Sequence, residues 1–351
     1  MVDPVATIVA TRRMQHDISR LQQRLSTVGQ EVVTGMKADV AGELRGRTSI
    51  LLAFRDAHAR TERYLESGAT LAMRLDTMQL AMSAIRDTGE PLALETLAAV
   101  GRGDVISLRN VQTSAATALD GVFRQLNVAI AGRYLFGGTL VDQPPMVNGP
   151  GPAGVIEAVI SDAAAAAGGQ IDVGDVAGLL VELDAVFDDS HPDATRRYAT
   201  AFYQGSPASE PDLVGQLDED GRITYGLKAN EPGFRDIMQG LHMLAAVRYG
   251  DAAMTEAAYR AYATAAAERL QQGLGRLVDL AARTGQNQAL VVANQERLEV
   301  TKDLYNRQIV ELERRDPYEA ATMLTALEQQ LEASYLLTAR MNELSLTSYL
   351  R

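Results

Sequence analysis

The chain has 351 residues, 46% of them hydrophobic but only 5% aromatic, with no Trp and no Cys. This excludes wholesale disorder, thiol catalysis, disulfides and Cys-ligated metal, and it suits slim helices meeting along seams better than a thick core. The net charge of -12 is concentrated between Val141 and Glu231, where sixteen acidic residues face four basic ones, so nucleic acid is excluded as an expected partner.

The first ten residues lack the basic region and long apolar stretch of a secretory signal. No run of about 18 apolar residues encodes a transmembrane helix, so no membrane partner is expected. Thr7, Thr11, Met14, Ile18, Leu21, Leu25, Val28 and Val32 recur in steps of four and three, the spacing of a coiled-coil seam, which ends near Thr34-Gly35. A second seam runs Ile50, Phe54, Ala57, Thr61, Tyr64, Gly68, Leu71, Leu75, Met78, Met82 and Ile85. It predicts one helix on the order of 50 to 60 Å long, stopping at the turn-forming cluster Asp87-Thr-Gly-Glu-Pro91. Asp104 is placed to cap a third long helix with the stripe Leu108, Val111, Ala115, Leu119, Val122 and Leu126.

From Gly137 the pattern changes. Gly137-Gly138, Pro144-Pro145 and 148–154 interrupt helix, and the stretch to Phe202 mixes β-like runs such as Val155 to Ile160 with Ala-Gly-rich sequence. A small inserted domain is expected at 141–202, its acidic surface left in solvent. Two short strands are expected around Asp218-Glu-Asp-Gly221. Helix resumes at Gly233 and becomes very long after Gly250-Asp251, with a seam from Leu270 to Leu312 diluted by Thr284, Gln288, Gln295 and Lys302. Asp316-Pro317-Tyr318-Glu319 then carries a cap, a first-turn proline and a carboxylate at the third position. The final helix it opens has the stripe Leu324, Leu327, Leu331, Ser334, Thr338, Met341 and Ser345.

No chemistry-bearing motif accompanies these seams. His16, His58, His191 and His242 are scattered, without ligand spacing, and read as solvated or half-buried imidazoles. Around Asp218 and Asp220 a calcium loop lacks both of its end ligands, because Gln216 and Leu227 stand there. Phosphate-loop and nucleophile-elbow spacings are missing as well. No catalytic residue, metal or cofactor is expected, and the chain reads as a non-enzyme.

Two stretches resemble the flagellin superfamily: the final helix from Asp316-Pro-Tyr-Glu to Leu350, and the opening helix with Leu21, Leu25 and Val32-Val-Thr-Gly-Met-Lys37. Gly132-Arg-Tyr-Leu-Phe-Gly-Gly138 is similar to the hook-filament junction branch more than to filament flagellin. Arg222-Ile-Thr-Tyr-Gly-Leu with Asn230-Glu-Pro-Gly-Phe-Arg235 also resembles the point where that family re-enters its helical domain. After Lys37 this chain departs from the family's Ser-Asp-Asp-Pro-like turn, having Ala38-Asp-Val-Ala-Gly-Glu43.

The combined expectation is a mainly α, elongated long-helix bundle with coiled-coil terminal helices, a β-hairpin and a small inserted α+β or mainly-β domain. Its divisions are 1–45 with 316–351, 46–140 with 203–315, and the insertion 141–202. The resemblance implies an exported, extracellular flagellar subunit whose signal is not cleaved, at the hook-filament junction. It also implies as partners further copies of the chain, a neighbouring hook-associated protein, flagellin, and an export chaperone on the C-terminal helix. The expected assembly interface is Ile18, Leu21, Leu25, Val28, Val32, Leu324, Leu327, Leu331, Met341, Leu344 and Leu350. The rival readings are a filament flagellin, and a cytoplasmic coiled-coil adaptor that explains the seams but not the matched ends.

Overall fold

A computed structural model describes residues 4–349. In chain order its elements are α1 (Pro4–Thr34), α2 (Val40–Leu44), α3 (Thr48–Arg102), α4 (Val105–Leu126), β1 (Ala129–Ile130), β2 (Arg133–Tyr134), α5 (Pro150–Ala166), α6 (Val176–Phe187), α7 (Tyr198–Ala201), β3 (Val214–Gln216), β4 (Arg222–Thr224), α8 (Pro232–Ala246), α9 (Glu256–Glu313) and α10 (Pro317–Tyr349). The fold is mainly α, and the strands form two small antiparallel pairs, β1 with β2 and β3 with β4. Two compact units emerge: a terminal unit, Met1–Arg63 with Leu298–Arg351, and a central unit, Tyr64–Arg297.

The central unit holds the main core. Leu71, Leu75, Met78, Met82 and Ile85 of α3 are buried, as are Leu108, Val111, Ala115, Val122 and Leu126 of α4 and Leu270, Leu274, Leu277 and Val291 of α9. These are the expected stripes, and burying each large side chain stabilises the unit by about 1.5–3 kcal/mol. Asp104 caps α4 by accepting from the Ile106 and Ser107 N–H groups at 3.1 and 3.3 Å, and the Ser107 hydroxyl and N–H hold its carboxyl below the usual carboxylate range. Helix α8 packs on α4 and meets α9 almost backbone to backbone. A Cβ on Gly240 would lie 2.7 Å from the Ala266 carbonyl oxygen, and one on Gly273 would lie 2.7 Å from the Ile237 nitrogen. Only glycine permits that crossing.

Three expectations need correction here. Helix α3 does not stop at the 87–91 cluster but runs through Pro91 to Arg102. Leu92, Ala93, Thr96 and Ala99 beyond the proline are all buried, and their burial offsets the hydrogen bond that proline cannot make. Val155 to Ile160 lies inside α5, not in a strand: Pro150 opens the helix at its first turn, and Ile156, Val159 and Ile160 are buried at helical spacing. A short apolar run fits a buried helix as well as a strand, and tertiary packing decided it. His191 and His242 are buried, not solvated.

Helices α5 and α6 pack on α8, and the end of the 141–202 segment supplies an aromatic cluster. Phe202 and Phe123 stand edge-on to His242 at 5.2 and 6.0 Å between ring centroids, with Phe187 at 6.4 Å. The Tyr198 hydroxyl donates to the Ala229 carbonyl at 2.8 Å, and the Arg235 guanidinium lies 4.9 Å from the Tyr198 ring centre. The expected β3–β4 turn is tied by Asp218, whose Oδ1 accepts from the Asp220 and Gly221 N–H groups at 3.1 and 2.6 Å. Its Oδ2 accepts from Asn294 at 2.8 Å and pairs with Arg297, and the Gly221 N–H chiefly holds this carboxyl below its ordinary range.

Burial alone pushes the His242 imidazole down to about 3 from an ordinary 6.5. The unfolded chain therefore takes up a proton below about pH 6.5 that the folded chain refuses, and the folded state loses stability as pH falls through that window. The loss from this one group approaches about 1.4 kcal/mol per pH unit. Urea unfolding at pH 7 and pH 5 is expected to show His242→Leu gaining on the wild type at the lower pH; a constant difference between the two would contradict the assignment.

Candidate assembly interface

The functional candidate is the pair α1 and α10 with the segments that join them to α2 and α9. Within the terminal unit the two helices run antiparallel. The Thr338 hydroxyl approaches the Met14 sulfur at 3.0 Å, Gln22 Nε2 donates to the Tyr335 hydroxyl at 2.8 Å, and Gly29 packs near Leu324. Ascending along α1 thus means descending along α10.

On α1, Met14, Ile18, Leu21 and Leu25 are half-buried and Val28 is buried. Facing them on α10, Leu324, Leu331, Ser334, Thr338 and Met341 are half-buried, and Ala320 and Leu327 are buried. Val32 departs from this pattern, being 37% exposed. The seam position falls instead on Glu31, only 3% exposed. The Leu344 side chain and Leu350 lie outside the described residues, as do the side chains of Thr7, Thr11 and Ser345.

Below the seam the chain closes on itself through polar contacts. Gly35 ends α1 with φ +69°, a conformation that glycine adopts at no steric cost. The Lys37 N–H then donates to the Glu313 carbonyl at 2.8 Å, and the Arg315 N–H to the Gly35 carbonyl at 2.9 Å. The Lys37 ammonium donates to the Leu312 carbonyl at 3.0 Å, satisfying one of the unpaired carbonyls at the end of α9. Glu31 accepts from the Ala38 N–H at 2.9 Å and lies 3.4 Å from Arg315. Arg315 also reaches Glu43 at 3.2 Å and Glu319 at 3.9 Å, while Arg55 Nε donates to Glu313 at 2.9 Å. Asp316 caps α10 as expected, accepting from the Tyr318 and Glu319 N–H groups at 2.8 and 3.2 Å.

Seam reasoning missed Glu31, Glu313 and Arg315, because a charged residue breaks an apolar stripe by definition. The available signal was the pair Arg314-Arg315 directly before the Asp316-Pro317 cap, a cationic site at the end of a long helix.

This arrangement defines a long-helix protein whose two ends form one paired structure. Residues 268–350, the latter part of α9 and α10, match the family model of the bacterial flagellin C-terminal helical region, so this part of the chain is flagellin-related. Among solved structures, a protein from Vibrio parahaemolyticus described as a flagellar hook-associated protein has a similar fold, with a TM-score of 0.51 at 9% identity over 77% of this chain and 99% of that one. Bacillus cereus FlgL aligns with a TM-score of 0.41 at 14% identity over 76% and 99% of the two chains. At 9% identity the likeness to the Vibrio protein is one of fold. No curated protein matches the sequence significantly.

Replacing Arg315 by Met is expected to leave the Glu31 carboxylate buried with only one N–H donor. Removing one partner of a buried pair costs about 3–5 kcal/mol, reduced here by the partly solvated Glu43 and Glu319 that share the guanidinium. Amide exchange of residues 35–40 should accelerate by at least about tenfold, corresponding to about 1.4 kcal/mol; unchanged exchange would show that the closure does not depend on Arg315.

Proposed function

We propose that this chain is a structural, non-enzymatic subunit of the bacterial flagellum, exported without signal cleavage and built into the tube at the junction between hook and filament. The observation that carries the proposal is what the paired ends leave uncovered. Val33 is 87% exposed, Tyr318 86%, Leu336 64% and Leu337 55%, all on helices that already share a seam. Such apolar surface on both terminal helices suits burial by neighbouring subunits. The partners are then other copies of the chain and the adjacent hook-associated protein and flagellin, with an export chaperone covering α10 beforehand. The flagellin-type match over 268–350 supports the flagellar placement.

The junction is favoured by the likeness of the fold to the Vibrio protein and by Gly132 to Gly138, which holds β2 and buries Leu135 and Phe136. A filament flagellin remains the second reading, favoured by the same C-terminal match. Cells lacking the gene are expected to carry hooks without filaments and to release flagellin into the medium. Purified chain is expected to form no long filaments unaided, and long filaments would decide for flagellin.

Assembly proceeds by deferred folding. A half-buried Leu returns about 1 kcal/mol, whereas each ordered residue loses about 1–2 kcal/mol of backbone entropy. A seam that is half-buried and includes Ser334 and Thr338 holds two long helices only marginally until neighbours cover them. In dilute monomer, residues 7–32 and 320–345 should exchange their amides far faster than the α3, α4 and α9 core. Strong protection of both ends would sink the mechanism.

A further inference from the structure

The α1–α10 pair carries charge on its flanks that the fold itself does not use. Residues 12–30 of α1 hold four arginines and one aspartate, while residues 320–340 of α10 hold two glutamates and one arginine. Arg20, Arg24, Glu328 and Glu332 are all exposed, and among the described residues none of the four has an ion pair or a side-chain hydrogen bond. One helix is basic and its seam partner acidic, yet these charges do not meet within one copy.

Helix geometry explains why. At 3.6 residues per turn, Arg20 and Arg24 lie about 80–120° round α1 from the middle of its seam, and Glu328 and Glu332 lie about 90–130° round α10 from the middle of its own. The arginines are reached by turning one way from the seam and the glutamates by turning the other. Because the helices run antiparallel, viewing both from one end brings the two turns into the same sense, and because the seams face each other, the stripes emerge on opposite sides of the pair. The contacts of Met14 with Thr338, Gln22 with Tyr335 and Gly29 with Leu324 set the height. Arg20 is level with Glu332, and Arg24 with Glu328, to within about one turn. A basic and an acidic stripe at the same height on opposite sides complement each other between two copies set side by side, and each added copy presents the same two faces again. The short, exposed side chains of Ala321, Thr325 and Ala339 on the glutamate flank leave room for the second helix.

We infer that the flank of α1 bearing Arg20 and Arg24 docks on the flank of α10 bearing Glu328 and Glu332 in a second copy of the chain, with Arg20 against Glu332 and Arg24 against Glu328. This inference rests on the reading of the chain as a tube subunit, and it specifies which faces of the terminal helices the copies use. The contact is heterologous, so it propagates from copy to copy at one height. Its ion pairs are exposed, and with a Debye length of about 3 Å in about 1 M salt the contact weakens as ionic strength rises.

The chain has no Cys, so introduced thiols report on one contact at a time. Full-length Arg20→Cys and Glu332→Cys proteins with different affinity tags are mixed at high concentration and oxidised. The expected product is a disulfide dimer carrying both tags, in excess over dimers of either protein with itself and diminished by salt. Adding Arg24→Glu to the first protein should lower the mixed yield by about fivefold, as reversal of an exposed ion pair does, and adding Glu328→Arg to the second should restore it. A mixed dimer no more abundant than the like-with-like dimers would overturn the inference. So would a yield indifferent to Arg24→Glu and to salt, or one that Glu328→Arg fails to restore. With flagellin and the adjacent hook-associated protein added, a photoprobe on the Arg20→Cys thiol that captures one of them and no second copy would also overturn it. The flagellar reading is judged separately, by filaments on cells lacking the gene, and the cross-link does not depend on that result.

Discussion

The terminal unit depends on one main-chain closure, in which residues 35–37 lie antiparallel to 313–315. The Lys37 and Arg315 N–H groups donate to carbonyls across this crossing, which fixes the register of everything N-terminal to Gly35 against everything C-terminal to Arg315. A half-buried apolar stripe with mixed Leu, Ser and Thr has little power to choose one register over the next. The Glu31–Arg315 pair adds direction, because a buried carboxylate that finds its cation in only one alignment penalises the others. In this chain charge acts as the locator, and the apolar seam follows.

The long helices were legible in the sequence wherever a stripe was dense. Leu71, Leu75, Met78, Met82 and Ile85 predict and occupy the buried face of α3, and Gly35, Asp104 and Asp316 mark helix ends where the structure has them. The same reasoning failed where tertiary burial outweighed a local signal. Pro91 is a strong stop in isolation, yet the helix continues because the residues after it are buried. Val155 to Ile160 has β-branched composition, but Pro150 starts a helix five residues earlier and α8 accepts the apolar face. At the start of α3, Leu51 is buried while Ile50, the expected seam member, is exposed, a one-residue shift that spacing alone does not resolve.

The apolar side of the seam between α1 and α10 was legible. Leu21, Leu25, Leu324, Leu327 and Leu331 do face one another across α1 and α10, whereas the ionic closure beneath them involves residues more than 250 positions apart, such as Arg55 with Glu313, and no single sequence displays that pairing. His191 was similarly opaque: its neighbours in sequence gave no ligand spacing, and only the return of the chain after α6 brings it to Glu182.

The acidic middle is the last place where structure changes the meaning of composition. Sixteen carboxylates in one stretch suggest a repelling, solvated surface, but several are bound within the central unit to cations later in the chain. Asp184 pairs with Arg269 at 2.5 Å, Asp189 with Arg235 at 2.6 Å and Asp212 with Lys228 at 3.3 Å, while Asp218 takes Arg297. Three of these four cations lie beyond Glu231 in sequence, so the charge asymmetry between segments is partly neutralised in the fold. Those pairs draw the 141–231 segment onto α8 and α9, beside the buried seam of α9.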